Sequence, residues 1–469
     1  MQSGVTRRAF LRRASLATAA ASAVQLFPLP NILHAAEKGN KLRCAVIGCG
    51  GRGMSHVSTA IGENLMAIAD VDEKRHATVR KAMQEKAGNG EALATFTDYR
   101  RLFDELGKQI DAVFIAAPNH HHAPPSMIAM QLGIGVYCEK PLCHDIAEAR
   151  RLAEMARRCK SPTQMGNQGH CGEGYRRLCE YVWAGTIGPI RETHSWTDRA
   201  NGGAGPRPPA QPVPAGLHWD EWIGPAPYRG FHKDLHPHEW HGWYDFGNGS
   251  LGNMGCHVLD GVYWALKLEH PLSIEAESVF GGSDERYPIG TRIRWDFPAR
   301  GDLPAVKTYW YDGRQSSEKT KRGSKNKGGD RYLPPLLAKL KQEHPDEKFD
   351  SNGTLYVGEK GILYTGTYGG GTRIVGKAKG DVSEPPKSLP RPGSIAGDFL
   401  RACREGKKDT AAGFDYSSRL TEFTLLGNLA QHAGQGKIVL WDGPQMKVTN
   451  LAELNAWIDR PYRKGWQVG

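Results

Sequence analysis

No acidic residue occurs before Glu37. Beyond that stretch no apolar run is long enough to cross a bilayer, so a transmembrane helix is not expected there. No internal repeat is visible, which argues against a solenoid or propeller. The nine cysteines, at 44, 49, 138, 143, 159, 171, 179, 256 and 403, include no CxxC pair with metal-knuckle spacing. What remains is an ordinary globular composition. The chain has 469 residues, 39% hydrophobic and 24% charged, enough for two or three domains with a sizeable core.

The acid-free N-terminus carries Arg7, Arg8, Arg12 and Arg13 around Phe10 and Leu11. A weakly apolar, Ala-rich stretch follows from Ala14 to Phe27, and Ala35 and Ala36 offer a cleavage site. This resembles a twin-arginine (Tat) signal over residues 1–36, which implies export of a folded protein to the periplasm. Its four arginines account for part of the net charge of +11; without them +7 remains. Much of that remainder lies in "EKTKRGSKNKGGDR" (318–331), which reads as a solvated loop. No recognition motif or interleaved aromatic accompanies it, so a nucleic-acid partner is not expected, and an anionic glycan suits it better. A protein folded before export keeps its buried thiols, so most cysteines are expected to be free.

"KLRCAVIG" is an apolar run of strand length stopped by glycine, and "GGRGMSHVSTAIG" opens a helix. Together they place Gly48-x-Gly50-x-x-Gly53 at a strand-to-helix turn. There the first glycine permits the turn, the second admits a pyrophosphate, and the third lets helix and strand pack. The helix N-terminus adds N–H donors. Gly51 and Arg52 lie in the same turn. A second strand, "NLMAIADVD", ends at Asp70, 22 residues after Gly48. A carboxylate there accepts from a ribose diol and repels a 2′-phosphate, which favours NAD over NADP. Strand-like "ATF", "DAVFIAAP", "IGVYCEKP" and "PTQMG" alternate with helical segments. The alternation predicts a parallel α/β sheet, a Rossmann domain over residues 37–165.

"CEKPL" (138–142), after GxGxxG and "AAPNHHH", is similar to the Gfo/Idh/MocA oxidoreductases. "MGNQGH", "WDEWIGPAP", "WYDFGNGSLGNMGCHVLD", "GTLYVGEKGILYTGTYGG" and "YRKGW" resemble the bacterial Tat-exported branch. The resemblance implies an α+β second domain over 166–469, with a large, mostly antiparallel sheet whose open face mediates homo-oligomers. Short β-branched or aromatic segments such as "IRETHSWTDR", "GTRIRWDF" and "AVKTYWYDG" agree, and a helical tail follows. It also implies NAD as cofactor, contacted by Pro118, Asn119, His122, Glu139, Lys140 and Asn167 besides the glycine turn.

Oxidation of a carbinol needs a hydride acceptor, a base for the hydroxyl proton and a polar group to hold the hydroxyl. Lys140 suits the holding role, because burial lowers a lysine pKa. His257 is the candidate base. The family motif has Asp four residues before this His; here the position is Asn253, which can orient His257 or a substrate hydroxyl but supplies no charge. His170 is expected near the nicotinamide. Trp222, Trp243 and Tyr244 read equally as sugar platforms or as core. His232, His236, His238 and His241 are expected on the cleft or its rim without a metal, and His120 and His121 on the surface. The reading is a sugar, polyol or glycoside oxidoreductase that keeps its NAD. A redox-neutral NAD-dependent glycosidase or lyase, and a non-catalytic sugar-binding protein with structural NAD, stand as alternatives.

Overall fold

Cys44, Ala45, Val46 and Ile47 are all buried on strand β1 (Arg43–Ile47), because helices cover both faces of the sheet it centres. The computed structural model describes residues 41–315, 331–377 and 382–468. The twin-arginine stretch and all of the basic run except Arg331 lie outside them. With β2 (Asn64–Ala69), β3 (Ala94–Phe96), β4 (Ala112–Ile115), β5 (Gly135–Cys138) and β6 (Thr163–Met165), β1 forms a parallel sheet in the order β3-β2-β1-β4-β5-β6. The order reverses between β1 and β4, and ligands of such sheets enter the crevice beyond the strand ends there. The connecting helices start where side chains offer caps. Asp72 and Asp98 accept backbone N–H groups of the helices Glu73–Ala87 and Tyr99–Leu106. Asp145 and Glu148 make a capping box for Ile146–Arg158.

The second sheet has nine strands: β7 (Ile190–Thr197), β8 (Ser273–Phe280), β9 (Gly290–Phe297), β10 (Val306–Gly313), β11 (Gly353–Gly358), β12 (Gly361–Gly366), β13 (Arg373–Ile374), β14 (Ile438–Asp442) and β15 (Lys447–Val448). Their order is β13-β12-β11-β7-β10-β9-β8-β14-β15, and every neighbour is antiparallel except the pair β7 and β10. Period-two patterning separates its faces. Ile293, Trp295 and Phe297 of β9 point into the core. On the other face Arg294 bridges Glu275, Glu277 and Asp296. One end of that outer face is covered: Leu337 and Leu340 of helix Pro335–Glu343 pack on Trp196, Tyr311, Leu355 and Tyr364.

The tail does not stay with the second sheet. Helix Ile395–Glu405 returns to the first, with Phe399 edge-on to Phe114 and Tyr137 at 5.5 and 5.7 Å. Gly135 has no side chain because one would stand 2.7 Å from the Cys403 Sγ. The 37–165 and 166–469 division therefore needs this correction: residues 395–405 complete the core of the first sheet. Helix Phe414–Ala433 is buried nearly all round, and a continuous apolar core runs from Ile47 and Val113 through this helix to Trp295 and Trp310. All nine cysteines are buried thiols. Among the described residues no helix is long and apolar enough to cross a membrane.

Candidate functional site

A cavity of about 570 Å³ opens beyond the C-terminal ends of β1, β2, β4 and β5, and residues of the second domain roof it. Gly48, Gly50, Gly51 and Arg52 form its floor. Gly48 has φ +79°, and a Cβ there would lie 2.7 Å from the Ala117 nitrogen. A Cβ on Gly53 would lie 1.9 Å from the Gly48 carbonyl oxygen, so this glycine serves helix–strand packing. Gly50 is different. A Cβ there would meet only the Arg75 guanidinium, at an ordinary 3.6 Å, and the residue faces the cavity. Protein packing does not require its smallness; a close-approaching ligand does.

Asp70 lines the same end. Its carboxylate accepts the N–H of Cys49 at 2.6 Å and of Asp72 at 2.9 Å. Burial nevertheless raises its pKa above the ordinary carboxylate value. Arg75, five positions on in the chain, also lines this end and stands 4.0 Å from Asp72. Pro118 and Asn119 continue the wall, and the buried Asn119 Oδ1 has no hydrogen-bond partner among the described residues. The His122 ring lies between the carbonyl oxygens of Pro141 and Ala117, at 2.7 and 2.8 Å, and clamps the two loops. Glu139 accepts from Arg52 Nε at 3.0 Å and pairs with His56 Nε2 at 2.9 Å. Burial would raise its pKa, but the His56 hydrogen bond and the charges of His56 and Arg52 win and hold it at about 2. These residues fit a dinucleotide: a small-residue turn, a carboxylate at the end of β2 and an unpartnered amide along the wall.

At the other end stand Lys140, Asn253, Met254, His257 and Tyr368. Residues Leu251–Gly255 form a π-helical turn. Its i→i+5 register takes Asn253 out of line with His257, so the expected same-face pairing does not occur. Asn253 instead sets the lysine. Lys140 Nζ donates to its carbonyl at 2.7 Å and to its Oδ1 at 3.3 Å, and Asn253 Nδ2 donates to Asn201 Oδ1 at 2.9 Å. Burial lowers the Lys140 pKa below the ordinary lysine value. The His257 imidazole is held neutral, well below the usual histidine range, first by burial and then by the charge of Lys140. Its Nδ1 has no partner among the described residues, and the Tyr175 hydroxyl donates to its backbone carbonyl.

Tyr368, not expected from the sequence, stands edge-on to His257 with ring centroids 4.7 Å apart. It is 42% exposed and has φ +58°. Two glycines of "GHCGEG" make room for its loop. A Cβ on Gly169 would lie 2.8 Å from the Tyr368 Cα, and one on Gly174 would lie 1.8 Å from the Gly369 oxygen. Arg199, Tyr99 and Trp466 also line the cavity without having been expected there.

Five expected contacts fall elsewhere. His170 is buried, with Nδ1 3.0 Å from Asp260 and its ring stacked on Trp264, outside the cavity lining. Trp243 is buried under Arg229 and Arg286, and Tyr244 packs on Tyr287 and His432; both are core. Asn167 is buried with its amide unpartnered and does not reach the lining. Trp222 and the histidines 236, 238 and 241 do line the cavity, whereas His232 does not. His120 and His121 are buried, not exposed: both rings approach the Trp222 carbonyl at 2.9 Å. Among the described residues no group of three or more His, Cys, Asp or Glu is arranged to hold a metal.

Residues 42–167 match the Gfo/Idh/MocA model described as an oxidoreductase family, NAD-binding Rossmann fold, and residues 194–288 match the family's C-terminal α/β domain. Inositol 2-dehydrogenase of Corynebacterium glutamicum (strain R) is 29% identical over 155 residues, 32% of this chain and 43% of that protein. Inositol 2-dehydrogenase of Leifsonia xyli subsp. xyli is 31% identical over 155 residues, 32% of this chain and 42% of that protein. The chain thus spans less than half the length of these curated relatives. The structure of WlbA dehydrogenase from Bordetella pertussis, in complex with NADH and UDP-GlcNAcA, superposes with TM-score 0.55 at 13% identity, covering 86% of this chain and 99% of that one. Levoglucosan dehydrogenase, in complex with NADH and levoglucosan, gives 0.51 at 16% identity, covering 85% and 98%. These structural likenesses speak for the fold. Two domain models of one family, matched in order along a single chain, lead to one conclusion: the chain belongs to the Gfo/Idh/MocA oxidoreductase family, and its first domain is an NAD-binding Rossmann domain.

Proposed function

We propose that the protein is an NAD-dependent oxidoreductase acting on a CH–OH group of a sugar, polyol or glycoside. The carrying observation is that Lys140 and His257 line the same cavity as the dinucleotide turn. When bound, NAD supplies the hydride acceptor. Lys140 has three N–H donors, and the Asn253 carbonyl and amide oxygens take two. The third holds the substrate hydroxyl oxygen. His257, neutral at rest, accepts the hydroxyl proton as alkoxide charge develops between it and Lys140. That negative charge offsets the neighbouring ammonium, which otherwise disfavours an imidazolium. Asn253 acts by fixing Lys140. The relatives named inositol 2-dehydrogenase support a carbinol substrate.

The protein, in this reading, is exported by the Tat route with NAD aboard and works in the periplasm. "TRRAFLRR" at the N-terminus supports export. No soluble NAD pool exists outside the cytoplasm, so the cofactor must be regenerated in place. Reduction of a second sugar does this, as does a redox-neutral cycle that ends in glycoside cleavage. Purified protein incubated with a sugar panel and no added NAD should turn over many times per bound cofactor, with a second sugar reduced or a glycoside cleaved. A requirement for stoichiometric free NAD, with NADH released, would leave a plain dehydrogenase and remove the retained cofactor.

A further inference from the structure

The two ends of the cavity differ in charge. Four carboxylates line it: Asp70, Asp98, Glu139 and Glu221. Asp70 caps two backbone N–H groups, and the Arg100 guanidinium grips Asp98 through three contacts of 2.6–3.0 Å. Glu139 is held by Arg52 and His56. Glu221, on helix Trp219–Ile223, lies within the field of Arg100. Among the described residues, the only carboxylate lining the cavity around Lys140, Asn253, His257 and Tyr368 is Glu139, already paired with Arg52 and His56.

A second cation stands at that end. Arg199 follows β7, and its carbonyl accepts the Ser250 hydroxyl at 3.3 Å. Two positions on, Asn201 receives Asn253, the residue that sets Lys140. The segment bearing Arg199 is thereby tied to the turn that builds the reaction centre. Its guanidinium lines the cavity with 59% of the side chain exposed. Among the described residues the only carboxylate within 4.0 Å of it is that of Asp198, beyond hydrogen-bond reach, and Asp198 is shared with Arg331 at 3.7 Å. Arg199 is close enough to Lys140 and His257 for its charge to disfavour a proton on either. Among the described residues, two cations thus share one pocket end without a free counter-charge, and one is a planar fork matched to oxyacids.

We infer that the sugar accepted by this cleft carries an anionic group, a carboxylate or a sulfate or phosphate ester, received by Arg199 while the reacting carbinol lies at Lys140 and His257. This rests on the oxidoreductase reading above. Recognition by a guanidinium is common to the three groups, so the experiment separates them.

The holoenzyme is assayed with matched pairs: methyl glucoside against methyl glucuronoside, methyl galactoside against methyl galacturonoside, and each neutral sugar against its 6-sulfate and 6-phosphate. Calorimetric binding is measured beside turnover. The acidic member that fits should be preferred about 10-fold or more in kcat/KM, the scale of one charge-assisted hydrogen bond. The preference should shrink as salt rises. Arg199→Gln should bring the acid-to-neutral ratio toward one, and Arg199→Lys should fall between, with NAD content and thermal midpoint reported for both. A wild-type ratio near one, or a ratio unmoved by Arg199→Gln, overturns the inference whatever the variants' stability. Lys140-dependent turnover of neutral sugars without acid preference would sink this inference and leave the oxidoreductase reading standing. Arg199-dependent binding of acidic sugars with no turnover of any sugar would do the reverse.

Discussion

Tyr368 combines a left-handed backbone, an exposed ring and a place beside His257. The perturbation is a pair of substitutions, Tyr368→Gly and Tyr368→Ala. A non-glycine residue in this region costs roughly 1–2 kcal/mol. The ring's edge contact with His257 returns about 0.5–1.5 kcal/mol. Glycine relieves the strain but carries about 0.5–1 kcal/mol of extra chain entropy. The Gly variant should therefore lie within about 1 kcal/mol of wild-type, since the gains and losses nearly cancel. The Ala variant keeps the strain and loses the ring, so it should be the less stable of the two. At an ordinary φ the order is reversed. Thermal midpoints of the two proteins, read with and without bound NAD, decide the order. Both variants remove a ring from the reaction end of the cavity, so kcat/KM toward sugars should fall at least ~10-fold while NAD affinity holds. Ala equal to or above Gly in stability would refute the strain argument. Undiminished kcat/KM in both would show that the ring does not meet substrate.

Lys140→Ala and His257→Ala should each lower turnover by ~100-fold or more, with thermal midpoint and NAD content near wild-type; full turnover in either would remove that residue from the chemistry. Asp70→Ala should weaken NAD by about 10–100-fold, the scale of a charged hydrogen-bond acceptor, and admit NADP, because the carboxylate that repels a 2′-phosphate is removed while Arg75 lines the same wall; cofactor titration checks this, and unaltered discrimination would count against it. Glu139 has its folded pKa depressed to about 2 from an ordinary 4.5. Its contribution to stability is thus complete above pH 4.5 and lost as pH falls from there toward 2. The shift corresponds to about 3 kcal/mol. Glu139→Gln should cost about that much at neutral pH and converge with wild-type at the acid end of the window, as denaturant midpoints against pH would reveal; a pH-independent difference would contradict the His56 and Arg52 pairing.

What the sequence reveals follows from where information is local. The strands of the first sheet are buried on both faces and read as short apolar runs, and the glycine turn and Lys140 sit at fixed offsets from strand ends. In the second sheet β9 shows clear alternation, and β10 reads as a strand from its β-branched and aromatic residues. β8, "SIEAESVF", was not recognised as a strand because its outward positions hold acids that only the fold pairs with Arg292 and Arg294. Non-local facts were not legible. Helix Ile395–Glu405 returns to the first sheet through Phe399, which no local pattern announces. Asn253 looked poised over His257 at α-helical spacing, and a π-helical turn sends it to Lys140 instead. Trp243 and Tyr244 had equal claims as platform or core, and Arg229, Arg286 and Tyr287 settle them in the core. Tyr368 was missed because its signal is a positive φ and the glycines that receive it, Gly169 and Gly174, lie far away in the chain.

The central claim is that a carbinol hydrogen passes from a sugar to the NAD held over Lys140. Purified holoenzyme, reacted anaerobically with sugars bearing deuterium at each ring carbinol carbon in turn, tests it directly when the released cofactor is weighed by mass spectrometry. The account predicts one deuterium in the cofactor from a single labelled carbon, and none in the Lys140→Ala variant. Turnover of the sugar with no label ever reaching the cofactor, or equal labelling without Lys140, would contradict it.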